Sequence, residues 1–90
     1  MKSIRIKISG KVRSVGFRFF VKQVALMYGL IGTVSYSGKD CLIIEASGND
    51  PDLKELIDYC RIGSFGSVVD DIEVTEMPVK KYASFEIIEN

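Results

Sequence analysis

The feature that most constrains this chain is a change of hydrophobic period across one short loop. Ile4, Ile6 and Ile8 alternate with Ser3, Arg5, Lys7 and Ser9, the period of a strand with one buried face. From Phe17 onward, Phe17, Phe20, Val21, Val24, Ala25 and Tyr28 recur at helical spacing, and Gly29 stands where a glycine ends a helix. Gly10 to Gly16 is therefore a polar loop joining a strand to a helix. Further along, Gly32–Ser37 and Cys41–Ser47 read as strands of a hairpin, turned by Ser37-Gly38-Lys39-Asp40. Asn49-Asp50-Pro51-Asp52 is a helix start, with an N-cap acceptor, a proline at the first helical position and an acid in the first turn. Leu53, Leu56, Ile57 and Cys60 make its apolar stripe, and Gly63 ends it. A Gly/Ser-rich loop, Gly63–Ser67, leads to a strand around Val68–Met77 and a short last strand at Ser84–Ile88.

This order, β-α-β-β-α-β with an extra terminal strand, is the split βαβ arrangement of ferredoxin-like folds. Each helix has one apolar stripe, so both are expected on one face of an antiparallel sheet, an α+β two-layer sandwich with the other face open to solvent. Ninety residues without repeats or a linker predict one domain over 1–90. The fold alone says little about function, because it hosts many.

Composition removes several chemistries. There is no histidine, so no histidine acts as general base or metal ligand or activates a serine or cysteine. Cys41 and Cys60 have no short spacing and read as unpaired thiols in a reducing compartment. Met1–Gly10 lacks the apolar segment of a secretory signal, and Val24–Ile31, the longest mostly apolar stretch, is far below the roughly 20 residues of a membrane span. A soluble cytoplasmic monomer without membrane partners is the expectation. Residues 1–39 hold eight cations and no acid, whereas residues 40–90 hold four cations and twelve acids. The asymmetry fits a basic site facing an anionic ligand, or two halves that interleave and attract each other in the fold.

The loop Gly10-Lys11-Val12-Arg13-Ser14-Val15-Gly16-Phe17-Arg18 is the informative stretch. The start of a helix has unpaired N–H groups and partial positive charge, a ready anion site. Arg18 in the first turn opposes the macrodipole by roughly 0.3–1 kcal/mol, a cost that makes sense if an anion sits there. Gly16 lets the backbone approach that anion, and Lys11 and Arg13 add charge, arginine matching phosphate oxygens as a fork. A basic loop pointing into solvent is the plainer alternative.

The run Gly-x-Val-x-x-Val-Gly-Phe-Arg at residues 10–18, together with Gly29 and Gly32-x-Val34, resembles the acylphosphatase signature, and the resemblance extends over roughly Ser3–Ile88. It implies hydrolysis of carboxyl-phosphate mixed anhydrides with no cofactor, no metal and no covalent intermediate. The implied phosphate-binding loop is Arg13, Ser14, Val15, Gly16, Phe17 and Arg18, with Arg18 catalytic and the ligand a small anionic acyl phosphate or phosphate.

Two departures stand out. The family commonly has Gln-Gly where this chain has Arg13-Ser14. The family's water-positioning asparagine falls at Tyr36, whose hydroxyl, at the end of a rigid ring, does not occupy the same point as a compact amide. Loss of a water-positioning group removes on the order of 10²–10⁴ in rate by analogy with acid–base contributions. Three readings thus stay open: an acylphosphatase using Tyr36 or a water network, a degenerate relative that binds phosphate or acyl phosphate without efficient turnover, and a non-catalytic interaction module. RNA recognition is disfavoured, because Cys41–Ser47 has none of the stacking aromatics such a strand presents. Asp70, Asp71, Glu73 and Glu76 read as a solvated edge, with Asp70 and Glu76 expected on the face opposite Asp71 and Glu73. Phe19 lies off the apolar stripe, suiting either an acyl pocket or a loop-covered core position.

Overall fold

The computed structural model describes residues 1–13 and 15–89. Its elements are β1 (Lys2–Lys11), α1 (Phe17–Met27), β2 (Ile31–Tyr36), β3 (Cys41–Gly48), α2 (Asp50–Ile62), β4 (Val68–Met77) and β5 (Phe85–Ile87). The order matches the ferredoxin-like expectation, and the strands form one sheet in the order β4-β1-β3-β2-β5. β1 through β4 pair antiparallel, whereas β5 lies parallel to β2, so the sheet is mixed. The reason is the crossing after β4: the chain leaves one edge of the sheet and joins the opposite edge running the same way as β2. Side-chain alternation has the same period in both kinds of pairing, so a three-residue strand carries no sign of its direction.

The even-numbered isoleucines of β1 face the helices, and Ile6 and Ile8 are fully buried. Phe17, Val21, Val24 and Ala25 from α1 and Leu53, Leu56 and Cys60 from α2 close over them. Each fully buried aliphatic of this size contributes about 1.5–3 kcal/mol. α1 ends with Tyr28 as its last half-helical residue. The Gly29 N–H then donates to the Leu26 carbonyl (3.3 Å) and the Leu30 N–H to the Ala25 carbonyl (2.8 Å), a Schellman motif that needs the left-handed φ of 67° at Gly29. Asn49 does occupy the N-cap of α2, but its side chain makes no capping bond. Pro51 and the acids Asp50 and Asp52 carry that end.

A bulge corrects the parity expected for the acidic strand. Ser9 is opposite Asp71 and Gly10 opposite Val69, so Asp70 is the extra residue and the alternation slips there. Val69 and Ile72, three apart, both pack against the core, and Asp70 and Glu76 do not simply share a face. All four acids are exposed. β1 also runs on to Lys11, which pairs with Val68, so the loop before α1 is shorter than the sequence suggested.

The sheet face away from the helices is not fully open. Ser3 and Ser47, outward by alternation, are 1% and 0% exposed, because the crossing segment lies against them. The Lys80 N–H donates to Ser3 Oγ (3.0 Å), Ser47 Oγ donates to the Lys80 carbonyl (2.8 Å), and the two hydroxyls touch. Since Ser47 spends its proton on Lys80, Ser3 is the donor between the two serines.

Candidate active site

α1 begins at Gly16, which holds φ 71° and ψ 16°, a left-handed conformation that glycine adopts at no steric cost. Gly16 as the N-cap makes no side-chain capping bond, and the first turn of α1 contains no acid. The first turn itself therefore holds nothing that offsets the N-terminal charge of the macrodipole. The Phe17 side chain is fully buried and stacks edge-on against Phe20 at 5.7 Å. It anchors the helix start and leaves its backbone to the site.

From behind, the Gly63–Ser67 loop braces this turn. Ser64 Oγ donates to the Val15 carbonyl (3.2 Å), and Ser67 Oγ donates to the Ser64 carbonyl (2.7 Å). A trans peptide holds its carbonyl and N–H in opposite directions. With the Val15 carbonyl turned toward Ser64, the Gly16 N–H points away from that brace.

Two arginines converge on Tyr36. The guanidinium carbon of Arg13 lies 4.1 Å from the ring centroid and that of Arg18 lies 4.3 Å from it. Arg13 also donates through Nη1 to the Gly38 carbonyl (3.0 Å). Arg18 Nη1 reaches Glu89 Oε1 at 3.6 Å, and the Arg18 side chain is only 19% exposed against 78% for Glu89. Each guanidinium–ring contact is worth about 0.5–1 kcal/mol at an exposed site. The two guanidiniums are like charges gathered at one ring, and an anion bound beside them offsets their repulsion.

Of the residues singled out in the sequence, the structure brings Arg13, Arg18 and Tyr36 into one cluster beside Val15, Gly16 and Phe17. Ser14 lies outside the described residues. Tyr36 is on the helix-facing side of β2, and the β2–β3 register is unbroken through Tyr36 opposite Leu42, which leaves Ser35 on the other face. Lys11 belongs to the end of β1, and Phe19 is 62% exposed, neither a core position nor a wall of the cluster. Two neighbours escaped the sequence reading. Lys39 lines an open depression of about 430 Å³ together with Arg13, Tyr36 and Gly38; its place in the hairpin turn was the available signal. Glu89, at the far end of the chain, gave none.

The acylphosphatase family's sequence pattern matches residues 4–87. An acylphosphatase of Methanocella arvoryzae is 36% identical over 89 residues, covering 97% of this chain and 99% of that one. The crystal structure of acylphosphatase from Bacillus subtilis superposes with a TM-score of 0.95 at 33% identity, covering 99% of this chain and 100% of that one. Full-length HypF, in a phosphate- and nucleotide-bound form, contains a similar unit: TM-score 0.88 and 37% identity over 98% of this chain but 12% of that one. The signature loop, the strand order and these likenesses over nearly all of the chain agree, and the chain belongs to the acylphosphatase family.

Proposed function

We propose that this chain hydrolyses acyl phosphates, with Arg18 and the backbone N–H groups of the Arg13–Arg18 loop holding the phosphoryl group. The observation that carries the reading is the uncapped, acid-free start of α1 at Gly16 with the Arg18 guanidinium held beside it on Tyr36. Water attacks phosphorus, the bond from phosphorus to the acyl oxygen breaks, a carboxylate leaves, and the water's protons pass to phosphate and solvent. A carboxylate is a good leaving group, so orientation and charge stabilisation supply most of what the reaction asks of the protein. That division of labour suits a chain without histidine.

A second reading is favoured by one residue. Tyr36 stands where the family has its asparagine, and its ring is engaged by two guanidiniums, so the site holds phosphate well and orients water poorly. The test is hydrolysis of benzoyl phosphate by the wild type, Arg18→Ala and Tyr36→Asn, against the uncatalysed background. Turnover that Arg18→Ala lowers by about 10²–10³, the usual cost of removing a transition-state donor, supports the enzyme. A silent wild type with activity gained in Tyr36→Asn establishes the binding-only reading. Silence in all three overturns both and leaves an interaction module.

Among the described residues no helix is long and apolar enough to cross a membrane. The two unpaired thiols, Cys41 half-buried and Cys60 buried, fit a reducing compartment, and we place the chain in the cytoplasm on that ground. The bulged, acid-rich edge strand β4 resists edge-to-edge pairing, which favours a monomer acting as one unit, and the outward residues of β3 offer nucleic acid no aromatic platform.

A further inference from the structure

We propose that Ser64 is a positioning residue of the phosphoryl site, its hydroxyl holding the Val15–Gly16 peptide so that the Gly16 N–H is presented to the bound anion. This role rests on the acylphosphatase reading and adds to the same site a residue 49 positions along the chain from Val15. Ser64 Oγ donates to the Val15 carbonyl at 3.2 Å. The first bond of the α1 ladder runs from the Phe20 N–H to the Gly16 carbonyl, so the N–H groups of Gly16, Phe17 and Arg18 lie outside that ladder. With the Gly16 carbonyl locked by the helix, the Phe17 N–H in the same planar peptide is locked too. The Gly16 N–H belongs to the preceding peptide, which the ladder does not touch.

Neither sterics nor packing at Gly16 fixes that peptide. Turning it over changes mainly ψ of Val15 and φ of Gly16, and glycine takes either sign of φ about as readily. A Cβ placed on Gly16 would meet nothing within 4 Å. The Val15 side chain packs against the core, which anchors its Cα and leaves the peptide beyond it able to turn. The Ser64 hydroxyl supplies the restraint, and it stands on a firm loop. The Ser64 carbonyl accepts from the Ser67 N–H at 3.0 Å and from Ser67 Oγ at 2.7 Å, and the Gly63 N–H closes α2 on the Tyr59 carbonyl at 2.9 Å. None of these bonds uses the Ser64 side chain, so removing its hydroxyl loosens the peptide and leaves the loop in place. Plain bracing of the loop, the alternative, predicts lost stability with the conformation at Gly16 unchanged.

Inorganic phosphate is the probe, applied to the wild type, Ser64→Ala and Ser64→Thr. Calorimetry gives its dissociation constant, and the three-bond HN–Hα couplings of Gly16, measured by NMR without and with saturating phosphate, report φ at that residue. The free wild type is expected to show couplings that fit the φ of 71° at Gly16. In free Ser64→Ala they are expected to move toward an average of two peptide orientations, and phosphate is expected to return them to the wild-type values. The affinity of Ser64→Ala is expected to fall about two- to tenfold, the span of one neutral hydrogen bond spent on keeping the competent state populated. Ser64→Thr keeps the hydroxyl and is expected to restore both readouts. Any result in which either the affinity or the free-state couplings of Ser64→Ala stay as in the wild type overturns the role of Ser64, and leaves the phosphate site standing. A wild type that binds no phosphate overturns the site and the role of Ser64 together.

Discussion

Arg18 is held by two partners of different strength. Its stacking on Tyr36 is shielded, whereas its contact with Glu89 is a 3.6 Å pair to a carboxylate 78% exposed. Exposed pairs of this kind contribute about 0–1 kcal/mol. Glu89 nevertheless occupies the side of Arg18 with the charge of the ligand it would hold, and it competes with phosphate for the same guanidinium. Glu89→Gln is therefore expected to tighten inhibition by inorganic phosphate about two- to fivefold, the span of one weak ion pair. Inhibition constants for the two proteins at low ionic strength check this, and the gain should fade in high salt. At this scale Arg18 stood out in the sequence, because a cation in the first turn of a helix conflicts with the macrodipole unless an anion offsets it, and the structure brings it to Tyr36. The stacked trio did not. Arg13, Arg18 and Tyr36 come from a loop, a helix and a strand, and nothing in their spacing says that two guanidiniums meet one ring. Tyr36 stands out in the sequence as a departure from the family, and in the structure its ring is in contact with both guanidiniums.

The chain crossing from β4 to β5 is tied to the sheet by side-chain hydrogen bonds. The Lys80 peptide is fixed by the buried Ser3–Ser47 pair, and Tyr82 donates to Glu45 at 2.7 Å, so the crossing is tied to β1 and β3 before β5 joins β2. Truncating one serine strands a buried group that loses its partner, at a cost of about 1–3 kcal/mol. Ser3→Ala and Ser47→Ala are each expected to destabilise by that amount in urea unfolding, lowering Tm by several degrees. The double variant is expected to fall short of the summed losses, because both changes break one network. Full additivity would show that the hydroxyls act separately. The sequence displayed the elements well, since period and end signals are local: the Schellman stop at Gly29 and the start at Asn49-Asp50-Pro51 could be read directly. It misplaced Ser3 and Ser47, because alternation says which side a residue faces and not what later crosses that side. The bulge at Asp70 hid for a similar reason, its cause lying in the pairing with Ser9 and Gly10 and not in the acidic strand itself.

Across the whole molecule the basic and acidic halves of the chain interleave. β1, from the basic half, lies between β3 and β4, with Arg5 opposite Glu45 and Lys7 opposite Glu73, and Lys2 bridges Asp50 and Glu76. Much of the charge asymmetry is thereby spent within the fold, and Arg13, Arg18 and Lys39 gather around Tyr36. The same architecture sets an alkaline limit. Burial pushes the Cys60 thiol up from 9.0 to about 12. Desolvation, and then the hydrogen bond to Glu45, push the Tyr82 hydroxyl up from 10.0 to about 12. The Asp50 hydrogen bond foremost raises Lys2 above 10.5. In each case the folded chain keeps a proton that the unfolded chain releases, so the stabilisation is whole below pH 9 and is lost as pH rises beyond it. Cys60 titrates first in the unfolded chain, and one group contributes at most about 1.4 kcal/mol per pH unit. Urea unfolding at pH 8, 9, 10 and 11 is expected to show stability flat to pH 9 and falling beyond it. Cys60→Ala should lessen the decline between pH 9 and 10, and Tyr82→Phe should lessen it only above pH 10. A decline that starts at the same pH and slope in Cys60→Ala would mean that the thiol ionises without opening the core, and that the alkaline limit belongs to the other raised groups.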